Sequence, residues 1–141
     1  LVQNSLAGLL TMRINTAPSG YDPPLQFVHE DDVAGAIMTI LEKKGRGAFN
    51  VAPEDTITLR EAIKLTERPA IYLPVPIIRL LIAVAWKLQL PIMKAPPSLL
   101  DFMRWPWVLD NSRLRNELGF TFKYSTRETV EIMLRAKGVL A

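Results

Sequence analysis

The sequence predicts an α/β domain that is mostly helical with short strands. The chain has 141 residues, the length of one ordinary domain. Apolar residues make up 49% of the chain and charged residues 22%, a composition that excludes a disordered or fibrous protein. Apolar residues recur at helical spacing in several segments, whereas the strand-like runs are few and short. We therefore expect residues 1–141 to fold as a single unit in which helices outnumber strands.

The composition also excludes several kinds of chemistry. The chain has no cysteine, which rules out disulfides, thiolate metal sites and a cysteine nucleophile. His29 is the only histidine, so a histidine-based metal site is disfavoured as well. The chain starts at Leu1 rather than Met and shows no signal peptide. We accordingly expect a cytoplasmic protein, and a fragment or a processed product of a longer one.

The charge distribution is uneven but shows no binding tract. The net charge is +3, with −2 in residues 1–60 and +5 in residues 61–141. The basic residues of the second half alternate with acidic and apolar ones, as they do on a solvated surface. We therefore expect no nucleic-acid partner.

Helix and strand signals alternate through the first part of the chain. Residues 2–12 place leucines at helical spacing, and the apolar residues of 25–29 predict a strand. Asp31 or Asp32 is the expected N-cap of the next helix. The residues that recur on one face of that helix, and that we expect to be buried, are Val33, Ile37, Ile40 and Leu41.

The middle of the chain continues this alternation. Residues 47–52 predict a second short strand. Thr58 and Glu61 form a capping box, in which each side chain satisfies the other residue's free backbone N–H, and the helix they open is expected to end near Thr66. Residues 70–73 predict a third strand.

Prolines and polar caps delimit the last predicted helices. Helix 77–90 begins behind Pro76 and stops at Pro91, and a further helix is expected at 97–103. Residues 107–110 are expected to be extended. The remaining signals are Gly119 at the end of a short helix, a second capping box formed by Ser125 and Glu128, and a final helix with an apolar stripe of Val130, Met133 and Leu134.

Two clusters could carry chemistry, and both favour a structural interpretation. Gly45-Arg46-Gly47 could bind phosphate but is more typical of a helix-ending turn, and no glycine-rich dinucleotide motif or P-loop is present. His29 is followed by three acidic residues, which could act as a general base with its orienting carboxylate or could bind a divalent cation. Acidic residues at a helix start also complement the helix dipole, and that interpretation is favoured.

The apolar helix at residues 76–90 leaves two kinds of partner open. At ~1.5 Å per residue it spans about 22 Å, short of the ~30 Å hydrocarbon core of a bilayer. Burial against another domain or a second subunit is the favoured interpretation, which allows a homo-oligomer. An interfacial membrane helix anchored by Trp86 is the alternative. We expect Phe102, Trp105 and Trp107 to be core residues rather than ligand-stacking ones.

Two long sequence stretches resemble the extended short-chain dehydrogenase/reductases, the NAD-dependent epimerase/dehydratase family. The first is LQFVHEDDVAGAI followed by GAFNVAPEDTITLREA, and the second is VLDNSRLRNELGFTFKYSTRETVEIM. Their order and spacing are similar to the C-terminal part of that family, from about Asn4 to Lys137, and the closest likeness is to UDP-glucose 4-epimerase-like bacterial members. The resemblance implies the C-terminal, substrate-binding portion of an NAD(P)-binding, Rossmann-type enzyme.

The resemblance also implies what the chain lacks. Members of the family bind NAD(P) through a glycine-rich turn and transfer hydride with the help of a Tyr-x-x-x-Lys pair. Neither feature is present, because the residues four positions after Tyr21, Tyr72 and Tyr124 are not lysine. The chain is therefore expected to be inactive on its own and to bind no cofactor. The alternative is a non-catalytic relative that acts as a binding or scaffold module, associated with a membrane through helix 76–90.

Four residues are the expected contacts of a nucleotide-sugar or a related small molecule. By the resemblance, Asn4 and Thr16 match positions that bind the nucleotide. Relatives place a diphosphate-binding arginine where this chain has Leu25, so either another cation replaces it or the substrate is not a nucleotide diphosphate. Gln26 is the polar neighbour of that position. Arg104 and Lys94, which flank helix 97–103, are the candidate cations, and Arg104 is the one chosen by elimination, although a helix C-terminal charge is the favoured interpretation of that residue.

Overall fold

The structure is a computed structural model that describes residues 5–89, 99–102 and 105–140. It is a mixed α/β fold in which helices outnumber short strands, as predicted. In chain order the elements are α1 (Ser5–Leu10), β1 (Asn15–Pro18), β2 (Pro24–Leu25), α2 (Glu30–Glu42), β3 (Ile57–Thr58), α3 (Leu59–Leu65), β4 (Ala70–Leu73), α4 (Val75–Lys87), α5 (Leu99–Phe102), α6 (Ser112–Leu118) and α7 (Thr126–Ala136).

The strands form two small sheets. β1 and β4 are parallel, in a register that places Asn15 opposite Ala70 and Pro18 opposite Leu73. β2 and β3 are antiparallel, and a single parallel bridge joins Leu25 to Trp107. Residues 70–73, predicted as a short strand, thus pair with residues 15–18 across the intervening α2 and α3.

Two apolar clusters form the core. The first joins α1, β1, β2, β3, α3 and α7, and its buried members are Leu10, Ala17, Leu25, Ile57, Leu59, Ala62, Ile63, Val130 and Leu134. The second joins α2 and α6 through Ala36, Leu114 and Leu118, with Phe49, Val51 and Phe120 among the residues packed against it. The predicted stripe on α7 is confirmed, because Val130 and Leu134 are buried and Met133 packs against the first cluster.

Both capping boxes are confirmed. Thr58 Oγ1 accepts from Glu61 N at 3.2 Å, and Thr58 N donates to the Glu61 carboxylate at 2.8 Å. Ser125 and Glu128 make the same pair of bonds at the start of α7. The hydrogen bonds from Thr58 hold the pKa of Glu61 below its usual range, and those from Ser125 do the same for the pKa of Glu128.

We expect these two glutamates to make stability depend on pH in acid. A carboxyl group whose pKa is lower in the folded state stabilises the fold above its unfolded pKa, and that contribution is lost as the pH falls through the folded pKa. The urea midpoint should therefore fall more steeply below pH ~4 for the wild type than for a Glu61→Gln/Glu128→Gln variant. Parallel pH profiles for the two proteins would contradict this prediction.

The start and the buried face of α2 differ from the prediction. His29, not Asp31 or Asp32, is the N-cap, because its Nδ1 accepts from Asp31 N at 3.2 Å. The buried residues of the helix are Asp32 and Ala36. Ile37 and Leu41 are 51% and 67% exposed, because α6 and the phenylalanines of the second cluster cover the other side of the helix.

The two predicted strands at 25–29 and 47–52 are mostly absent. Only Leu25 of the first belongs to β2, and residues 47–52 form no ladder. Side chains satisfy the carbonyls of this second segment and its neighbour instead. Arg113 donates to Ala48 O, Asn111 donates to Ala52 O, and Gln26 donates to Pro53 O. A β-strand is stabilised by backbone hydrogen bonds to a partner strand. Residues 47–52 form no such ladder because side chains already occupy carbonyl acceptors of this region.

The apolar helix is shifted by two or three residues from its predicted bounds. α4 begins at Val75 with Pro76 in its first turn, and ends at Lys87. Ile82 is the one buried residue of α4. Among its exposed side chains are Ile77, Leu80, Leu81, Val84 and Trp86. No helix within the part of the chain that the structure describes is long and apolar enough to cross a membrane.

The last short elements agree in kind with the prediction. Helix 97–103 is observed over Leu99–Phe102, and the rest of its predicted length lies outside the described residues. α6 ends at Gly119, which adopts the left-handed conformation with φ 59°. Trp105 and Trp107 are 68% and 53% exposed, so the prediction that they are core residues was wrong.

Candidate functional site

Three segments meet where the fold leaves an open groove. They are residues 24–28, which comprise β2 and the three residues after it, residues 50–53 after the turn that follows α2, and residues 105–111 before α6. The amide of Gln26 joins all three. Its Nε2 donates to Pro53 O at 2.7 Å, and its Oε1 accepts from Leu109 N at 2.7 Å. Both polar atoms of this side chain are therefore engaged within the fold.

Further hydrogen bonds fix the same three segments. Trp107 N donates to Pro24 O at 3.1 Å, which aligns residues 105–109 beside β2. Asn50 Nδ2 donates to Asp110 O at 2.8 Å, and buried Asn111 donates to Ala52 O at 2.7 Å. Two asparagines and one glutamine thus position backbone that belongs to no regular ladder.

The space between these segments is the three-segment groove, with a volume of about 390 Å³. Among the described residues, its lining consists of one amide side chain and seven apolar residues, namely Gln26, Val28, Val51, Ala52, Pro106, Trp107, Val108 and Leu109. The volume lies within the range typical of small-molecule sites. The groove can shelter apolar groups from water, and none of these lining residues is ionisable.

Asp110 is the acidic residue that directly follows the groove wall. Its carboxylate accepts from Ser112 N at 2.8 Å and from Ser112 Oγ at 2.9 Å. These hydrogen bonds hold the pKa of Asp110 below its usual range, so the group stays ionised at neutral pH. Asp110 stabilises the start of α6, because the N–H that it accepts belongs to Ser112, the first residue of that helix.

His29 and Asp32, two residues of the cluster of His29 and the acidic residues after it, make contacts that hold the start of α2 against residues 123–124. The His29 ring lies 4.2 Å from the Tyr124 ring, measured between centroids. Asp32 is buried and accepts from Lys123 N at 2.9 Å and from Tyr124 N at 3.1 Å. Across the described residues, no group of three or more His, Asp and Glu side chains is placed to hold a metal ion.

Hydrogen bonds from an arginine of α6 hold the turn at Gly45-Arg46-Gly47. Arg113 donates to Arg46 O and to Ala48 O, each at 2.8 Å, and its guanidinium lies 4.5 Å from the centre of the Phe49 ring. Gly47 takes a φ of 87°, which only glycine adopts without strain. This geometry supports the helix-ending turn that was predicted.

The four expected ligand residues do not meet at one place in the described structure. Gln26 lines the groove. Thr16 lies in β1 opposite Ile71, in the other sheet, and does not belong to the described lining. Asn4 and Arg104 lie outside the described residues. The roles of all four toward a ligand remain predictions.

The sequence did not single out most of the groove. Val28, Val51 and Ala52 look like ordinary strand residues, and nothing local marks them as neighbours of residues 106–109. The usable signal was the run Trp-Pro-Trp-Val-Leu at 105–109. A proline inside so apolar a run disfavours a central strand and is typical of an edge, where side chains stay accessible.

Comparisons with known proteins give a distant relationship. No protein-family model matches the chain, and no solved structure matches it. Three uncharacterized mycobacterial proteins, one of Mycobacterium bovis and two of Mycobacterium tuberculosis strains, are each 27% identical to it over 120 residues. The match covers 85% of this chain and 31% of each relative, so the chain spans about a third of the length of these curated relatives.

Proposed function

We propose that this chain is the C-terminal, substrate-binding portion of an NAD(P)-dependent oxidoreductase similar to the nucleotide-sugar epimerases and dehydratases. One observation carries the proposal. The stretches that resemble the family, at residues 25–37, 47–62 and 108–133, supply most of the three segments that surround the groove. The matched segment is 31% of each mycobacterial relative, so a protein of that length has room for a cofactor-binding portion outside it.

In this proposal the chain's own residues bind and orient the substrate. The hydrogen bonds of Gln26, Asn50 and Asn111 hold the groove in shape before a ligand enters, which lowers the entropy lost on binding. The apolar walls would shield from water the face of the bound group that they contact. NAD(P) would supply the acceptor and donor of hydride, and another portion of the complete Rossmann-type protein would bind it.

The residues described here do not fit a dinucleotide. β4 is followed directly by Pro74, the N-cap of α4, and Pro76 lies in the first turn of that helix. Proline has no backbone N–H that could bind a pyrophosphate. This turn between β4 and α4 also has no glycine, which would let the backbone approach the pyrophosphate closely. β1 runs into a turn at Ser19 and Gly20 rather than into a helix. We therefore assign no step of cofactor chemistry to this chain.

A scaffold or binding module without catalysis is the second candidate. The observation that favours it is the exposed surface of α4, where Leu80 and Leu81 are 63% and 56% exposed. Apolar surface of this kind on a helix commonly marks a contact with another domain, another subunit or a membrane surface. The same surface of α4 would also serve as the contact with the cofactor-binding portion of an enzyme. The exposed surface therefore does not favour the scaffold over the first proposal.

The coding sequence that precedes Leu1 tests the proposal. We expect it to encode a glycine-rich turn between a strand and a helix and, further on, a Tyr-x-x-x-Lys pair. A sequence with the glycine-rich turn but without the pair would favour the non-catalytic relative. A sequence with neither would contradict the proposal.

The isolated 141-residue chain is expected to self-associate. The exposed apolar side chains of α4 would be covered in a larger assembly and would meet one another without it. Sedimentation velocity should show species larger than the monomer, and Leu80→Glu/Leu81→Glu should shift the distribution toward the monomer. Thr56→Glu/Thr121→Glu adds the same charge at exposed polar positions and should not. A wild-type chain that stays monomeric at all concentrations would contradict the prediction.

A further inference from the structure

We infer that the three-segment groove takes an uncharged, largely apolar ligand, such as an aliphatic chain or an alicyclic ring with a hydroxyl or keto group, rather than a nucleotide diphosphate. This inference names the substrate class of the proposed oxidoreductase and rests on that proposal for its catalytic meaning. The binding itself follows from the walls of the groove and can be measured separately.

The first argument is the chemistry of the lining. Seven of its eight described residues are apolar. Gln26 is the exception, and both ends of its amide are used by Pro53 O and Leu109 N. The described walls therefore offer a ligand no charged side chain and no unengaged polar side chain. A phosphate placed there would exchange part of its hydration for a largely apolar surface without gaining a charged partner, which is unfavourable.

The second argument is charge. The two arginines of α6, the helix that follows the groove wall, are both engaged. Arg113 holds the turn at residues 46–48 and Glu117, while Arg115 pairs with Glu54 at 2.8 Å. Asp110, an ionised group directly beside the wall, repels anions. Leu25, at the position where the epimerase/dehydratase family that the sequence resembles has a diphosphate-binding arginine, is buried in the first cluster.

The third argument is shape. The groove is open, about 390 Å³ in volume, and bordered by three apolar side chains that are about half exposed. These are Trp107, Val108 and Leu109, at 53%, 45% and 52%. An indole face offers a flat apolar platform to a ring or a chain. The volume lies in the range of small-molecule sites.

Calorimetric titration of the complete protein with hexanol, octanol, decanol and UDP-glucose tests the inference. Affinity should rise about two- to fourfold with each added methylene, as apolar surface leaves water, until the groove is full. UDP-glucose should bind at least tenfold more weakly than decanol. Tighter binding of UDP-glucose, or no dependence on chain length, would overturn the inference.

Two matched variants separate the groove from other apolar surface. Val108→Asp places a carboxylate in the groove wall and should weaken decanol binding at least tenfold. Ile37→Asp places a carboxylate on α2, where the side chain is 51% exposed, and should leave decanol binding within about twofold. Equal effects of the two variants, with unchanged melting temperatures, would overturn the inference. A separate titration with NAD⁺ and NADP⁺ reports on the proposed oxidoreductase, so the two ideas can fail independently.

Discussion

Replacing Asp32 with alanine is expected to lower the free energy of unfolding by about 3 kcal/mol. The side chain is 1% exposed, and its two oxygens accept from Lys123 N and Tyr124 N. Hydrogen bonds to an ionised group contribute more than neutral ones, and their removal leaves two backbone donors partly buried without an acceptor. These contacts tie α2 to the segment that leads into α7, so the loss reaches both helices.

The neighbouring Asp31 provides a matched control for this result. Its side chain is 59% exposed and lies on the same first turn of α2. Asp31→Ala should cost less than about 1 kcal/mol, the value of an acidic residue at a helix start. Asp32→Asn should be intermediate, because its amide keeps one acceptor. Urea unfolding of the three variants measures the difference, and equal losses for Asp32→Ala and Asp31→Ala would contradict the assignment.

Truncation of Leu114 is expected to have a similarly large effect. Leu114→Ala removes a fully buried side chain from the second cluster, where the cost of lost burial and of the resulting cavity is about 3 kcal/mol. Val51 packs against the same cluster and also lines the groove. We therefore expect the variant to weaken decanol binding as well, because the wall behind Val51 loses its support.

Leu41 is the control for this truncation. It is 67% exposed on α2, so Leu41→Ala changes the same atoms with little loss of packing. Its unfolding free energy should stay within about 0.5 kcal/mol of the wild type, and decanol binding should not change. Similar losses for the two leucines would show that the second cluster contributes less to stability than its burial indicates.

Local signals in the sequence predicted the features that depend on local contacts. The capping boxes at Thr58 and Ser125 and the left-handed Gly119 each need only a few neighbouring residues, and all three are observed. His29 was missed as an N-cap because histidine ranks low among capping residues. Its Nδ1 can accept a backbone N–H as a serine oxygen does, but only its conformation in the fold reveals this.

Features that depend on distant residues could not be predicted. Residues 47–52 have the composition of a strand, but Arg113, Asn111 and Gln26 use the carbonyls of this region. Two of these donors come from residues more than fifty positions away in the sequence. The groove has the same origin, because Gln26 meets Leu109 across 83 positions of the chain. Apolar periodicity could predict that α2 is amphipathic, but not which side of it is covered.

The central claim is that this chain binds the substrate and leaves the cofactor to another portion of the same protein. Fluorescence titration with NADH and NADPH, of the complete protein and of the 141-residue chain in parallel, tests it most directly. The claim predicts saturable binding of at least one cofactor by the complete protein and of neither by the chain alone. Saturable binding of either cofactor by the isolated chain, or of neither by the complete protein, would contradict it.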